Sequence, residues 1–598
     1  MSQKLQVISG DKRETIECKK GEILLKVLLR NGYDINAYCG GEGICGKCKV
    51  KLKGKIQDPS PAEQKYLSEQ ELKEGFRLSC QYQVENDLEV IYEQKEDITV
   101  MTAGVITELD LDLDLSKEKI QLDQATIENQ TDYLKRIYDK TQTNNINYNN
   151  LKKIADLDKK QELTVLKWRD QILDISKDKI NEKFYGLAVD VGTTTVVMYL
   201  LDLNTGQEKD FTAFYNPQKK YGADVISRIN YTYNNENGIK EMQTAVIEAL
   251  NKGIETLAKE NNIRKDDIYK MSFVGNTIML HLLLGIDAIS IAKSPYVPVF
   301  TDELDLKPKE VGLNINENGI IQFLPSISGY VGADITGDML TVNIDKLKGN
   351  NLMIDIGTNG EIVLNSGERI YSCSAAAGPA FEGANITFGT AGITGAISTF
   401  KIEDQKFEFS TINDHKPIGI CGSGLLDMIA EFFKHGFIES SGRIMDEDEL
   451  KEWQKQYLGE YKDQKAIQIT EKADQETTIY LTQKDIREVQ LAKGAIAAGI
   501  EILLNKMDLK ANDLDRVFIA GGFGNYINPS NACFIKMIPE CLEDKIIQIG
   551  NGAGTGAKIY LLNNQAKQRA LDIKEKVKYI ELSVNQEFQT EYINSMSF

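Results

Sequence analysis

Hydrophobic and polar positions change period several times along this chain, and each change marks an element. LQVIS and ETIEC alternate with period two around a polar turn, which predicts a first β-hairpin. GEILLKVLLRNG then sets apolar residues at helical spacing and predicts an amphipathic helix closed by Gly32. CKVKLKG and DLEVIYE return to strand alternation. Hairpin, helix and late strands predict a small mixed unit over residues 1–95, with a connector at 96–102. Next, GVITELDLDLDLSKEKI alternates Leu with Asp and predicts a half-buried strand. Its Asp110, Asp112 and Asp114 read D-x-D-x-D, but the sixth-position glycine and distal Glu of a calcium loop are missing. The polar TQTNNINYNN predicts a loop tip, and LKWRDQILDISKDKINEK a charged helical or strand-to-linker segment. A small α/β middle domain is therefore expected at 103–183, with no chemistry assigned to it.

The pattern over residues 184–598 contains an internal repeat. LAVDVGTTTVVMYLLDLNTG (187–206) and LMIDIGTNGEIVLNSG (352–367) each run from an apolar strand through Asp-x-Gly-Thr into a second apolar strand. A hairpin tipped by D-x-G-T offers small residues, backbone N–H groups and hydroxyls to a phosphate. The aspartate can orient magnesium through the ion's water shell, because Mg²⁺ keeps several waters and binds few carboxylates. Two copies about 165 residues apart predict two related lobes facing a cleft.

Composition narrows the class. At roughly 100–200 residues per domain, 598 residues predict several domains. With 70 Lys+Arg against 89 Asp+Glu, the net charge of −19 argues against nucleic acid or an anionic membrane as partner. No run reaches the roughly 18–20 apolar residues of a membrane span, and MSQKLQVISGDKRE lacks a signal-peptide core, so a cytoplasmic location is expected.

Nine cysteines are an odd number for a disulfide framework, and cytosolic thiols stay reduced. His281, His415 and His435 are too scattered for a histidine-rich metal site, so any metal sits mainly on sulfur. CGGEGICGKC spaces Cys39, Cys45 and Cys48 as C-x5-C-x2-C, and Cys80 follows 31 residues further on. Three thiolates in one loop and one distant match the logic of a [2Fe–2S] ferredoxin, whose plant-type spacing is C-x4-C-x2-C…C. A four-thiolate zinc site normally shows two paired knuckles, and only one pair is present. The glycines of the loop let backbone N–H groups approach sulfur. Cys18 in the second strand reads as a core residue, and so do Cys373, Cys421, Cys533 and Cys541.

These features carry a resemblance. The first 95 residues resemble the β-grasp ferredoxins, in the longer-gap variant of the adrenodoxin type. The D-x-G-T repeat resembles the superfamily of actin, the heat-shock chaperone ATPases and the sugar and acetate kinases. YVGADITGDML then corresponds to a first connecting helix, VFIAGGFGNYI to an adenosine motif and GNGAGTGAKIYLL to a second connecting helix. The whole arrangement resembles the reductive activators of corrinoid-dependent enzymes, through NPQKKYGADVISRI, VGNTIMLHLLLGID, SPYVPVF, CSAAAGPAFEGANI and GICGSGLLD as well. After GPAFEGANITFG the chain reads TAGITGAIST, without the Arg and Pro expected there.

The resemblance implies a multidomain α+β and α/β chain: a [2Fe–2S] ferredoxin domain, a small middle domain and a two-lobed actin-like ATPase. It implies ATP and Mg²⁺, a corrinoid protein partner, an external low-potential electron donor and a possible homodimer. It implies that one electron passes from the cluster to an inactive Co(II) corrinoid, restoring Co(I) at the expense of ATP. By that resemblance Cys39, Cys45, Cys48 and Cys80 ligate the cluster. Asp190, Gly192, Thr193 and Thr194 form phosphate loop one, and Asp355, Gly357, Thr358 and Asn359 form loop two. Asp190 and Asp355 order magnesium or water, Asp334 positions the attacking water or caps a helix, and Gly521 and Gly522 face adenosine. Ser423 reaches nucleotide or cobalt, or caps a helix, and His281 reads as a core or interface histidine. Two other readings remain: an activator of a dehydratase-type enzyme, and a redox-sensing module with a vestigial nucleotide cleft.

Overall fold

Leu5 and Val7 point one way from the first strand while Lys4 stays exposed, so the period-two pattern becomes one buried face. In the computed structural model, which describes residues 2–9, 12–31, 33, 35, 48–91, 111–156, 162–176, 184–470, 478–522 and 524–598, that face belongs to a five-stranded sheet. Ser2–Ser9 pairs antiparallel with Lys12–Lys19 and parallel with Leu88–Ile91. Lys49–Gly54 lies between Leu88–Ile91 and Phe76–Leu78. The helix Leu24–Arg30 contributes Leu24, Val27 and Leu28 to the same core, which is the mixed sheet and packed helix expected of a β-grasp unit. Two short helices, Pro61–Tyr66 and Glu69–Lys73, each start in a capping box. Buried Glu63 also accepts from the Leu78 N–H (2.9 Å), tying the first of them to the strand that leads to Cys80.

The middle unit differs from its expected form. Its sheet runs Leu115–Gln121, Glu162–Trp168, Gln171–Ser176, Asn145–Ile146, under the helices Tyr133–Thr141 and Tyr148–Asp156. TQTNNINYNN is therefore no loop tip: it carries a short strand and opens a helix. LKWRDQILDIS is a hairpin, and among the described residues the Leu/Asp stretch is strand only from Leu115. The reason is burial on both faces. Ile120, Leu163, Val165, Ile172 and Ile175 pack under the two helices, whereas Leu115, Leu166 and Leu173 join the core of the next lobe. Sheets covered on both sides lose the alternation that reveals a strand.

Asp114 pins this unit in place. Its carboxylate accepts from Lys270 Nζ (2.7 Å), from Trp168 Nε1 (2.7 Å) and from Lys567. Burial alone would raise its pKa; the two ammonium groups outweigh burial and hold it well below the usual carboxylate range. Asn147 and Arg169 add contacts to Asn318 and Asp305 of the same lobe.

Two six-stranded sheets follow. In the first lobe the order is Glu208–Tyr215, Thr195–Asp202, Tyr185–Val191, Ile268–Gly275, Ile320–Phe323, Leu304–Leu306. In the second it is Ile546–Gly550, Arg516–Ala520, Asn351–Ile356, Gly360–Asn365, Ile370–Ala375, Val577–Tyr579. Both D-x-G-T repeats fold as the expected hairpins, paired at Val191↔Val196 and Ile356↔Gly360. The helices Ala333–Thr341 and Gly552–Leu562 cross between the lobes, where Thr341 Oγ1 donates to Gly552 O (2.7 Å). Among the described residues the ferredoxin unit meets the second lobe at the hairpin Leu458–Tyr461 with Gln464–Gln468, whose turn residue Lys462 donates to Tyr66 O (2.8 Å). Among the described residues no helix is long and apolar enough to cross a membrane.

Candidate functional site

Phosphate loop one is shaped from behind. Gly192 N donates to Thr195 O (2.9 Å), closing the turn between Tyr185–Val191 and Thr195–Asp202. The next three carbonyls are all tied away from the cleft. Gly192 O accepts from Asn216 Nδ2 (2.9 Å), Thr193 O from Arg228 Nη2 (2.6 Å), and Thr194 O from the Asn216 backbone N–H (2.8 Å). Peptide units whose carbonyls face backward present N–H groups forward, and those of Thr193 and Thr194 have no acceptor among the described residues. Arg228 is fully buried, and its other partners are Gly222 O and Met279 Sδ. Asn276 Nδ2 donates to Thr193 Oγ1 (3.0 Å). The motifs NPQKKYGADVISRI and VGNTIML thus build the loop's support, a role their spacing did not disclose.

Loop two is the tip between Asn351–Ile356 and Gly360–Asn365, closed by Gly357 N donating to Asn359 O (3.0 Å). Gly521 turns at φ 94°, and a Cβ there would lie 2.4 Å from Asp355 Oδ1, so only glycine brings the adenosine motif this close. Beside it a Cβ on Gly522 would meet nothing within 4 Å, which leaves an open cradle.

Every nucleotide-site residue named from the sequence lines one cavity of about 450 Å³ between the lobes. Two of the expected alternatives are corrected. Asp334 lies in the first turn of Ala333–Thr341, whose N-cap is Gly332. Ser423 lies inside Gly422–His435, whose N-cap is Cys421, and donates to Ser398 O (2.7 Å). Neither is a capping residue. Among the described residues six carboxylates line the cavity, Asp190, Asp334, Asp338, Asp355, Glu361 and Glu382, and no Lys, Arg or His does. Burial pushes Asp190 up to about 7 and Asp334 to about 8, the Asp355 charge adding to both; Asn551 Nδ2 donates to Asp190 Oδ2 (3.0 Å) and opposes the rise. Burial also raises Asp355 to about 6 and drives Asp338 and Glu361 well above the carboxylate range. Neither oxygen of Asp338 meets a donor; its partner is the Asp355 carboxyl group.

The other thiols divide. Cys18, Cys373 and Cys533 are buried as expected, and His281 is a buried histidine bonded to Thr277 O and the Val299 N–H. Cys541 is exposed, contrary to its reading as a core thiol. Cys421 is buried but lines the nucleotide cavity. In the ferredoxin unit Cys48 and Cys80 are both buried and reduced, and their thiols hydrogen-bond. That bond and burial push the Cys48 thiol far up. Gln81 Nε2 donates to Cys80 Sγ (3.6 Å). Cys39 and Cys45 lie outside the described residues.

Comparison with known proteins matches three family models in order: a 2Fe-2S iron-sulfur cluster binding domain (7–85), the RACo middle region (185–347) and the C-terminal domain of RACo, the ASKHA domain (349–598). The corrinoid activation enzyme RamQ of Eubacterium limosum is 33% identical over 98% of both chains. The chain belongs to the RACo family. A solved structure described as a reductive activator for corrinoid, iron-sulfur protein shares 31% identity and superposes with a TM-score of 0.74 over 100% of this chain and 98% of its own. The [Co(II) methylated amine-specific corrinoid protein] reductase of Methanosarcina barkeri is 25% identical over 69% of this chain and 77% of its own.

RACo chemistry calls for a [2Fe–2S] cluster, ATP and Mg²⁺, and the residues fit. Two buried thiols side by side, with an amide N–H aimed at one sulfur, suit a cluster. A cavity lined, among the described residues, by carboxylates and no cationic side chain suits a divalent ion carrying anionic phosphates. A divalent ion seated among these carboxylates would have to displace the protons that burial holds on Asp190 and Asp334. In this RACo chain magnesium affinity is therefore expected to rise between pH 6 and pH 8, with proton release on binding measurable by titration calorimetry in two buffers. Carboxyl groups raised on folding stabilise the protein below the ordinary carboxylate range and lose that contribution as pH climbs through about 6 to 8. The metal-free melting temperature should fall across that window and recover with magnesium; an affinity flat in pH would exclude these carboxylates.

Proposed function

We propose that this chain is an ATP-dependent reductive activator that passes one electron from its ferredoxin unit to the Co(II) corrinoid of a partner protein, restoring Co(I). The observation that carries the reading is the union, in one chain, of a ferredoxin unit with paired buried thiols and a cleft between two phosphate loops. A bound plant-type [2Fe–2S] cluster supplies one electron at roughly −400 mV. The Co(II)/Co(I) couple implied by the family lies lower, so the transfer is uphill and needs the free energy of ATP. A ligand drives a conformational equilibrium only by binding one state better than the other, so ATP must favour the transfer-competent complex.

Cys39, Cys45, Cys48 and Cys80 hold the cluster in this reading. The forward-facing N–H groups of loop one bind phosphate, and Asp190 and Asp355 orient the magnesium water shell. Asp334, raised to about 8 by burial, stands near neutrality and suits a group that positions water and accepts its proton. A cytoplasmic location, an external low-potential donor, a homodimer and the domain limits 1–95, 103–183 and 184–598 complete the proposal. The deciding measurement is the Co(I) spectrum of a purified corrinoid protein mixed with the reduced chain. Co(I) is expected with ATP and magnesium and should be lost without nucleotide; equal reduction in both would refute the coupling. Two irons per chain are expected, against a four-iron cluster shared by two chains in a dehydratase-type activator.

A further inference from the structure

Glu382 belongs to GPAFEGANI, a motif that pointed to the family without showing a task. It closes the 3-10 turn Pro379–Glu382, which is set between Gly378 (φ 75°) and Gly383 (φ 79°). Phe381 is buried, anchoring the turn, while the Glu382 carboxylate reaches into the cavity. There it spans the cleft. Its Oε2 accepts from Thr194 Oγ1 (2.7 Å) of loop one, and its Oε1 accepts from Thr358 Oγ1 (2.7 Å) of loop two. One side chain thus joins the phosphate loops of both lobes, meeting Thr194 across 188 positions of sequence.

A carboxylate is an anion that only accepts hydrogen bonds, and so is a phosphate. Hydroxyls from two separate loops converge on the same acceptor, beside backbone N–H groups that have no acceptor among the described residues. That is the donor set of an oxyanion site, and the protein's own carboxylate fills it. A phosphate entering the site must take those donors, and the two anions repel strongly in a cavity already lined by carboxylates. The adenosine end lies at Gly521 and Gly522, so the phosphate reaching furthest from it is the terminal one of a triphosphate.

We propose that Glu382 holds the place of the terminal phosphate between the two loops and is displaced by it, so that this carboxylate sets the preference between ATP and ADP. The proposal rests on the nucleotide reading above. It also gives the displacement an outlet. Gly378 has open space around its Cβ position, whereas Gly383 is wedged against the Thr390 backbone, so the turn has one free end and one fixed end. Beyond the fixed end, Thr387 donates through N–H and Oγ1 to Asp485 (2.7 and 2.9 Å). Phe388 stacks edge-on against Tyr461 at 5.0 Å, next to the Lys462 that holds the ferredoxin unit.

The test is a pair of affinities on the full chain with magnesium, using a non-hydrolysable ATP analogue and ADP. Glu382→Gln keeps size and one acceptor oxygen but removes the charge. It should tighten the ATP analogue about tenfold while leaving ADP within about twofold. Glu382→Ala, which removes both acceptors, should shift the ratio in the same direction. Hydrogen exchange gives a readout independent of affinity: amides of 379–389 should exchange faster in the wild type when the ATP analogue binds, and already be fast in Glu382→Ala without nucleotide. If both variants change the two affinities by the same factor, Glu382 is only a structural brace and the proposal fails. If the wild type binds neither nucleotide, the nucleotide reading fails first and takes this one with it.

Discussion

Cys80→Ala is expected to give a folded chain with no iron–sulfur absorption, no stoichiometric iron and no corrinoid reduction. The side chain is buried in the turn after Phe76–Leu78, in hydrogen-bond contact with Cys48. The Ser79 N–H donates to Cys48 O (2.9 Å), so the backbones that carry both sulfurs are fixed before any metal arrives. Alanine removes a single sulfur and leaves Leu78, Tyr82 and Val84 in the core of the unit. Nucleotide binding should be unchanged, because none of the described residues lining the cavity belongs to the ferredoxin unit. Iron analysis and the visible spectrum read the loss. A surviving spectrum would remove Cys80 from the ligand set and turn attention to Cys18, whose thiol now points at Gln3 O (3.8 Å).

Asp114→Ala should lower unfolding stability by about 3–5 kcal/mol, the range for stripping one partner from a buried ion pair. The substitution leaves Lys270 and Lys567 beside each other, both almost fully buried, with their common carboxylate gone. Burial, with Lys567 adding, already pushes Lys270 down to about 8 in the intact protein. Without the Asp114 charge the folded Lys270 pKa falls below the value of about 8 it has in the intact protein, while the unfolded value is unchanged. The variant therefore gains stability with pH where the intact protein does not, and the deficit should narrow as pH rises towards about 8 and level off above it. Denaturant midpoints at pH 6 and pH 8 would show it. A loss below about 1 kcal/mol at pH 7 would mean the cluster is hydrated and the pin is weak.

What the sequence disclosed, it disclosed through repetition and spacing. Asp190 and Asp355 stand out because D-x-G-T occurs twice, and Gly521 and Gly522 through the resemblance of VFIAGGFGNYI to an adenosine motif. Cys48 and Cys80 were found from the gaps between cysteines. The supporting residues carry no such mark. Arg228 meets Thr193 across 35 positions and Glu382 meets Thr194 across 188, so each looks like an ordinary charged residue until the fold brings it in. Asp338 is spaced one helical turn after Asp334, a hint that the helix presents two acids to the cleft, but helical spacing alone does not say which face is buried. The middle unit misled for a different reason: Leu166 and Leu173 are buried in one core and Val165 and Ile172 in another, which removes the alternation a one-sided sheet would show.

The two small units are fastened to opposite jaws. Asp114 and the leucines around it fix the middle unit to the first lobe, whereas Lys462 holds the ferredoxin unit to the second. Any change in the angle between the lobes therefore becomes a change in the distance between those two units.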